Sequence, residues 1–378
     1  MRIHQVSLFG AACALALSLT AAGSTAVPAA SAPARTSTLA LVPLAGPRAA
    51  GTVLLGLPAR ATTGYSLLGV SWDDPAAELP GTVQVRTRSA GRWSGWQQLA
   101  ADSEDRPDRP ETSGARGATA PRWVGPSDGV QVRVVGDGPL PAGLRVDLVD
   151  PGDGPSAPAA PAAAEPAERA LPAAAHQAPR PGIVVRAGWG ADESLRRPGF
   201  DYTGDVRAVF VHHTDTGNDY RCSDSAKLIR SIYQYHVRSN GWRDLGYNFL
   251  VDRCGIIFEG RAGGVARSVL GAHTLGFNTG SAGVAALGTY VSGPVPQAQL
   301  DGIAKIAAWK LGLTGQDATG RTMLTSASNG SRYPSGTAHT FDAVSGHRDA
   351  FDTECPGNAL FAELPAIRER AAHLQGRR

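Results

Sequence analysis

Between Pro151 and Pro181 the chain is dominated by alanine and proline, as in Pro158-Ala159-Ala160-Pro161-Ala162-Ala163-Ala164-Glu165-Pro166. A stretch so poor in large apolar side chains cannot bury enough surface to offset the entropy of ordering it, and its prolines keep it extended. It therefore divides a chain of 378 residues, more than one core usually needs, into two folding units joined by a linker over residues 151–181. A linker of this composition leads to the expectation that the two units move independently.

The amino terminus begins Met1-Arg2 with His4, runs apolar from about Val6 to Ala22, and ends in small residues at Ala30-Ser31-Ala32. That order reads as a secretory signal peptide over residues 1–32, with the cleavage point between Gly23 and Ala32. The apolar run is slightly short for a membrane span and lacks a basic stop-transfer flank. The expectation is a secreted, extracellular or wall-associated protein with no integral membrane segment after cleavage. A net charge of +3, without a long basic tract, argues against nucleic acid as a partner. Cys13 falls within the apolar run, so Cys222, Cys254 and Cys355 remain. Three is an odd number where paired thiols are the stable form, and a metal-bound thiolate accounts for the remainder.

Residues 36–150 read as strands. Val53-Leu54-Leu55, Thr82 to Arg88, Val130 to Val135 and Leu144 to Val149 are short, alternating and β-branched, separated by Gly, Pro and Asp clusters. An all-β, sandwich-like domain follows. Trp72, Trp93, Trp96 and Trp123 lie here, suited either to a core or to stacking on sugar rings. The polar stretch from Ala101 to Ala120 reads as a long mobile loop.

Residues 182–378 alternate between strand and helix signals. Arg207 to His212 is strand-like, and a helix capped by Ser223 or Asp224 carries Leu228, Ile229, Ile232, Tyr233 and His236 on one side before stopping at Asn240-Gly241. Tyr247 to Val251 and Gly255 to Glu259 read as two strands about a tight turn, Ala282 to Leu287 as another strand, and Gln297 to Leu311 and the segment after Asn358 as helices. Interleaved strands and helices define an α/β domain with a mixed central sheet and flanking helices.

In this domain a strand ends on His212-His213, and a loop carries His347 and Cys355 eight positions apart. Two imidazoles and a thiol are a ligand set of the kind a catalytic zinc takes when one position stays open. Spacing alone leaves that open. The motifs Val211-His212-His213-Thr214, Gly241-Trp242-Arg243-Asp244-Leu245-Gly246-Tyr247-Asn248-Phe249-Leu250-Val251, Gly255 to Arg261, Gly271-Ala272-His273, Gly346-His347-Arg348-Asp349 and Thr353-Glu354-Cys355-Pro356-Gly357 occur in that order. Together they resemble the peptidoglycan recognition protein family, which shares its fold with phage lysozymes of the amidase type. The resemblance covers about Ile183 to Leu374 and does not reach the β-rich half.

The resemblance implies a zinc-dependent N-acetylmuramoyl-L-alanine amidase acting on the glycan strand and stem peptide of peptidoglycan. It assigns zinc (Zn2+) to His212, His347 and Cys355, and catalytic roles to Tyr247 and Thr353, the latter a position where phage members carry Lys and animal amidases Thr. Tyr247 and Thr353 would donate hydrogen bonds to the developing oxyanion, about 2–4 kcal/mol for each well-placed donor. The helix expected after Cys355 would favour its thiolate. His213 points to the opposite face of its strand and reads as structural, and His236 as a core histidine. Asp349 and Glu354 would orient a ligand imidazole or stay solvated. His273 and Arg261 are candidates for the substrate groove, each with a structural alternative. Cys222 and Cys254 then remain as a disulfide pair tying a helix start to a hairpin turn. Two other functions stay open: a wall-binding recognition protein without catalysis, and a cysteine peptidase with Cys355 as nucleophile and His347 as base. A monomer is the default.

Overall fold

The computed structural model describes residues 33–45, 53–101, 105–108, 113–136, 138–154 and 176–377. The segment read as a signal peptide, and most of the Ala/Pro-rich linker, lie outside the described residues. In the amino-terminal half every described regular element is a strand. The strands form a nine-stranded sheet whose main path runs Arg35–Ala40, Arg145–Asp150, Val53–Trp72, Arg122–Gly136, Gly81–Ser89, Arg92–Trp93.

Alternation explains these strands. In Gly81–Ser89, Val83, Val85 and Thr87 are buried, while Gln84, Arg86 and Arg88 lie on the outer side. Sequence alone marks only the first residues of Val53–Trp72, yet the strand runs for 20 residues. Register shifts between Leu57 and Arg60 and between Ala61 and Tyr65 accommodate Pro58 and Gly64. Leu68, Val70, Trp72, Val83, Val132 and Leu148 form the core of this half. Trp72 is fully buried, whereas half-buried Trp96 lies 4.2 Å from the Arg133 guanidinium, on the outer arginine face.

The carboxy-terminal half is built on a mixed six-stranded sheet, ordered Ile183–Val184, Ile257–Glu259, Phe249–Val251, Ser281–Ala286, Ala208–His213, Val344–Gly346. Only the pairing of Phe249–Val251 with Ile257–Glu259 is antiparallel. Ala208–His213 and Ser281–Ala286 are buried at every position, as expected for parallel strands covered on both faces. Helices Gln297–Gly312 and Leu364–Leu374 cover one face through Ile303, Ile306, Ala307 and Ile367, against Val209, Val211 and Val284. Helix Ser225–Gln234 covers part of the other through Leu228, Ile229 and Ile232. A π-helical turn, Tyr235–Ser239, prolongs it to Asn240 and to Gly241 at φ 73°.

Cys222 and Cys254 form a disulfide with a Cα–Cα distance of 6.2 Å across a sequence separation of 32. It ties the start of helix Ser225–Gln234 to the hairpin turn, where Ser225 Oγ also donates to Asp252 Oδ2 at 2.7 Å. Replacing both cysteines with serine is expected to lower stability by about 3 kcal/mol. Denaturant unfolding of the double variant checks this.

The expected independence of the two halves does not hold. Leu67, Ala118, Trp123 and Val149 of the β half belong to the same buried cluster as Val184, Trp189, Leu228, Ile232 and Tyr235 of the α/β half. The Tyr235 hydroxyl donates to the Thr119 carbonyl at 3.2 Å, and the Trp123 amide donates to the Thr216 carbonyl at 3.0 Å. Nor is the stretch after Ala101 a free loop throughout: Gly117–Ala118 pairs with Ser71 and Trp72. The halves touch closely at Gly69, where an added Cβ would lie 2.1 Å from the Tyr235 hydroxyl oxygen. Gly69→Ala is therefore expected to cost about 1–3 kcal/mol by overpacking, seen as a fall in the thermal midpoint.

Candidate metal centre

Ala208–His213 sits between Ser281–Ala286 and Val344–Gly346. Its alternation sends Phe210 and His212 to one face, with Val209, Val211 and His213 to the other. The parallel neighbour Val344–Gly346 ends where His347 begins a 3-10 turn, and Asp349 Oδ2 holds that turn by accepting the Gly346 amide at 2.9 Å. The chain returns through Thr353, whose Oγ1 accepts the Cys355 amide at 2.8 Å, while the Arg348 amide donates to the Cys355 carbonyl at 3.0 Å. These bonds bring Cys355 back over the strand end.

His212, His347 and Cys355 therefore converge, with one ligand atom of each within 4.8 Å of the others. Cys355 Sγ is 3.7 Å from His212 Nδ1. Cys355 is the free cysteine of the described residues and is buried. The helix that follows it, Asn358–Ala362, has five residues, too short to contribute much of a dipole.

The set fits a metal on its own chemistry. His347 is fully buried, and neither ring nitrogen has a hydrogen-bond partner among the described residues. Burial, reinforced by the nearby His212 ring, pushes its pKa down to about 3. Its Nδ1 has only the Asp105 carboxylate, at 3.5 Å, nearby, and a neutral buried imidazole without a hydrogen bond is costly unless an ion takes its lone pair. His212 shows the complementary feature: its Nε2 is 3.3 Å from His273 Nδ1. With the proton on Nε2 donated to His273, Nδ1 is left with its lone pair facing Cys355. Two imidazoles and a thiolate match the ligand types of zinc.

Other residues fall into place around this centre. Tyr247 stands beside it, its ring centroid 5.4 Å from that of His212. His213 turns away, its Nδ1 accepting the Tyr290 amide at 3.1 Å, and burial lowers its pKa to about 4. His236 is a core histidine that accepts the Gly246 amide at 3.1 Å and packs 4.4 Å from Trp242. Two expected groove residues lie elsewhere. His273 is fully buried behind His212, in a space kept open by Gly283, where a Cβ would come within 2.4 Å of the imidazole. Arg261 is 5% exposed and donates to the carbonyls of Leu245 and Leu270, each at 2.9 Å. Both are turned inward because the loops bearing them are closed by backbone contacts, which sequence spacing does not report.

Sequence reasoning missed Asp105. It comes from the β half, yet its Oδ1 lies 3.1 Å from His212 Nδ1 and 3.5 Å from His347 Nδ1, and the Tyr247 hydroxyl donates to its Oδ2. Burial opposes its charged form, but His212 and the Tyr247 hydroxyl outweigh that and hold the carboxyl well below its ordinary range. Beside it lies a cavity of about 80 Å³, lined from both halves by Arg116, Thr119, Thr214, Trp242, Tyr247 and Cys355.

This α/β fold, with histidines at two neighbouring strand ends and a cysteine on the returning loop, defines a candidate metal site. Residues 202–358 match the model of the N-acetylmuramoyl-L-alanine amidase family. The β half matches a family described as Rv3811 N-terminal galactose-binding domain-like over residues 22–173. Peptidoglycan-recognition protein SC2 of Drosophila melanogaster is 29% identical over 185 residues, 48% of this chain and 84% of that protein. The N-acetylmuramoyl-L-alanine amidase of Homo sapiens is 32% identical over 184 residues, 48% of this chain and 27% of that protein. Among solved structures, wild-type Drosophila PGRP-LB is similar at 27% identity and a TM-score of 0.38, over 49% of this chain and 92% of that one.

Proposed function

We propose that the protein is an exported, zinc-dependent N-acetylmuramoyl-L-alanine amidase that hydrolyses the amide between the lactyl group of muramic acid and the first alanine of the stem peptide. The observation that carries this reading is the convergence of His212, His347 and Cys355 within 4.8 Å, in a domain of the amidase family. The relative from Homo sapiens bears the name of this activity. Export rests on the amino-terminal sequence; no helix of the described residues is long and apolar enough to cross a membrane.

When bound, zinc would supply an activated water and polarise the amide carbonyl. The chain's own groups supply the rest. His273 fixes the His212 ring and its tautomer by taking the Nε2 proton into a hydrogen bond. Tyr247 presents a hydroxyl beside the ligand set, where it would donate to the amide oxygen as charge develops there. Thr353 holds the Cys355 amide and so shapes the ligand loop; its hydroxyl proton would serve the same oxyanion. The water oxygen ends on the lactyl carboxyl group, and the amide nitrogen leaves as the alanine amine with an added proton.

Incubation with intact peptidoglycan, followed by mass spectrometry of the soluble products, tests this. The expected products are stem peptides with a free amino-terminal alanine, lost on chelation and restored by zinc. Cleavage of another bond would overturn the assignment. The contact between Cys355 Sγ and His212 Nδ1 also suits a thiol–imidazole pair, with His212 rather than His347 as base. Activity that survives chelation but ends on thiol alkylation would establish that nucleophile instead.

A further inference from the structure

Residues 105–108 of the β half reach across into the α/β half and are held there at several points. Asp108 Oδ1 accepts the Gly276 amide at 2.6 Å, and Asn278 Nδ2 donates to the Arg106 carbonyl at 3.1 Å. The Arg106 guanidinium lies 5.8 Å from the ring centroid of Phe351, within the loop that joins His347 to Cys355. Further along, the Arg116 amide donates to the Asn240 carbonyl at 2.9 Å, and Arg197 donates to the Ser113 carbonyl at 2.9 Å. Contacts made by the residues that follow Asp105 thus hold it at the ligand cluster.

Its separations from the two imidazoles compare with those between ligands of one metal. In a tetrahedral zinc site with nitrogen and oxygen donors at about 2.0–2.2 Å and sulfur at about 2.3 Å, neighbouring N and O donors stand roughly 3.3–3.5 Å apart and N and S roughly 3.6 Å. Asp105 Oδ1 is 3.1 Å from His212 Nδ1 and 3.5 Å from His347 Nδ1, and Cys355 Sγ is 3.7 Å from His212 Nδ1. These three separations are close to the edges of one coordination polyhedron. Asp105 Oδ1 is buried and faces both imidazoles, while its partner oxygen accepts from the Tyr247 hydroxyl. A carboxylate acting as a base on a water at the fourth position would stand one oxygen further out. Here it stands at ligand-to-ligand distance from both imidazoles.

We propose that Asp105 is a fourth metal ligand supplied by the β half, and that the intact chain is thereby a latent amidase. The inference rests on the zinc reading of His212, His347 and Cys355. In this state the carboxylate fills the position that hydrolysis needs for water and holds the Tyr247 hydroxyl that hydrolysis needs for the amide oxygen. Turnover requires segment 105–108 to withdraw, and hydrolysis by the unmodified chain is a basal rate.

The full chain, Asp105→Ala and the near-isosteric Asp105→Asn, each loaded with Co2+ in place of zinc, provide the test. Visible absorption reads the ligand field, transfer of the ion to a competing chelator reads its hold, and the zinc forms are assayed on peptidoglycan. The expected result is a changed Co2+ spectrum and metal loss about 10–100-fold faster in both variants, with hydrolysis at least about tenfold faster than in the unmodified chain. Asp105→Asn guards against misfolding, since it keeps the side-chain shape. Metal uptake by all three proteins with identical spectra and release rates overturns the fourth ligand while leaving the zinc reading intact. Slower hydrolysis in both variants overturns latency. Failure of the unmodified chain to bind either metal overturns the zinc reading and this inference with it.

Discussion

Cys355→Ser is expected to yield a folded protein that no longer retains zinc and hydrolyses peptidoglycan slower by a factor on the order of 10³ or more. A serine hydroxyl occupies nearly the same volume as the thiol, and Cys355 is only 5% exposed, so the loop has little reason to rearrange. What is lost is the anionic donor. A thiol gives up its proton to a metal near neutrality, whereas a serine hydroxyl does so far less readily, leaving two neutral imidazoles that hold the ion weakly. Elemental analysis of the purified variant and the peptidoglycan assay read the two effects together. Stoichiometric zinc in an active Cys355→Ser protein would remove the thiolate from the site. Full zinc in an inactive variant would instead favour Cys355 as the attacking group.

Much of this centre was legible because its residues sit in motifs whose order and chemistry survive without coordinates. His212 at the end of an apolar strand, and His347 and Cys355 in one loop, needed only that the two segments be neighbours, and their parallel strands bring that about. Asp105 was not legible. An aspartate in a polar, aperiodic stretch carries no local sign of burial, and only the docking of the β half places it beside His212. That docking did leave a trace. Ser66 to Trp72 is buried at every position, and its Leu67-Leu68-Gly69-Val70 run is too apolar for a strand with one solvated face. The composition of the linker describes the linker alone; the apolar second face of this strand pointed to a partner. His273 was misplaced for a related reason. It was a candidate for the groove with a structural alternative, and Gly283, in another strand, leaves the space that lets the ring pack behind His212.

Tyr247→Phe, compared within an Asp105→Ala background, is expected to lower kcat by about 10²–10³ while leaving zinc content unchanged. The background matters because the Tyr247 hydroxyl has two partners at different stages. In the intact chain it donates to Asp105 Oδ2, so its removal both loosens the segment that blocks the site and deletes the donor for the amide oxygen. The two effects act in opposite directions on hydrolysis, and the single variant would understate the second. With Asp105 already truncated, the blocking carboxylate is gone and the hydroxyl is released to serve the reacting carbonyl. The phenyl ring keeps the packing against His212, whose centroid is 5.4 Å away, so ligand geometry should persist and the loss should fall on kcat rather than KM. If the double variant hydrolyses peptidoglycan as fast as Asp105→Ala alone, Tyr247 contributes no transition-state hydrogen bond, and its hydroxyl serves only to hold the closed state.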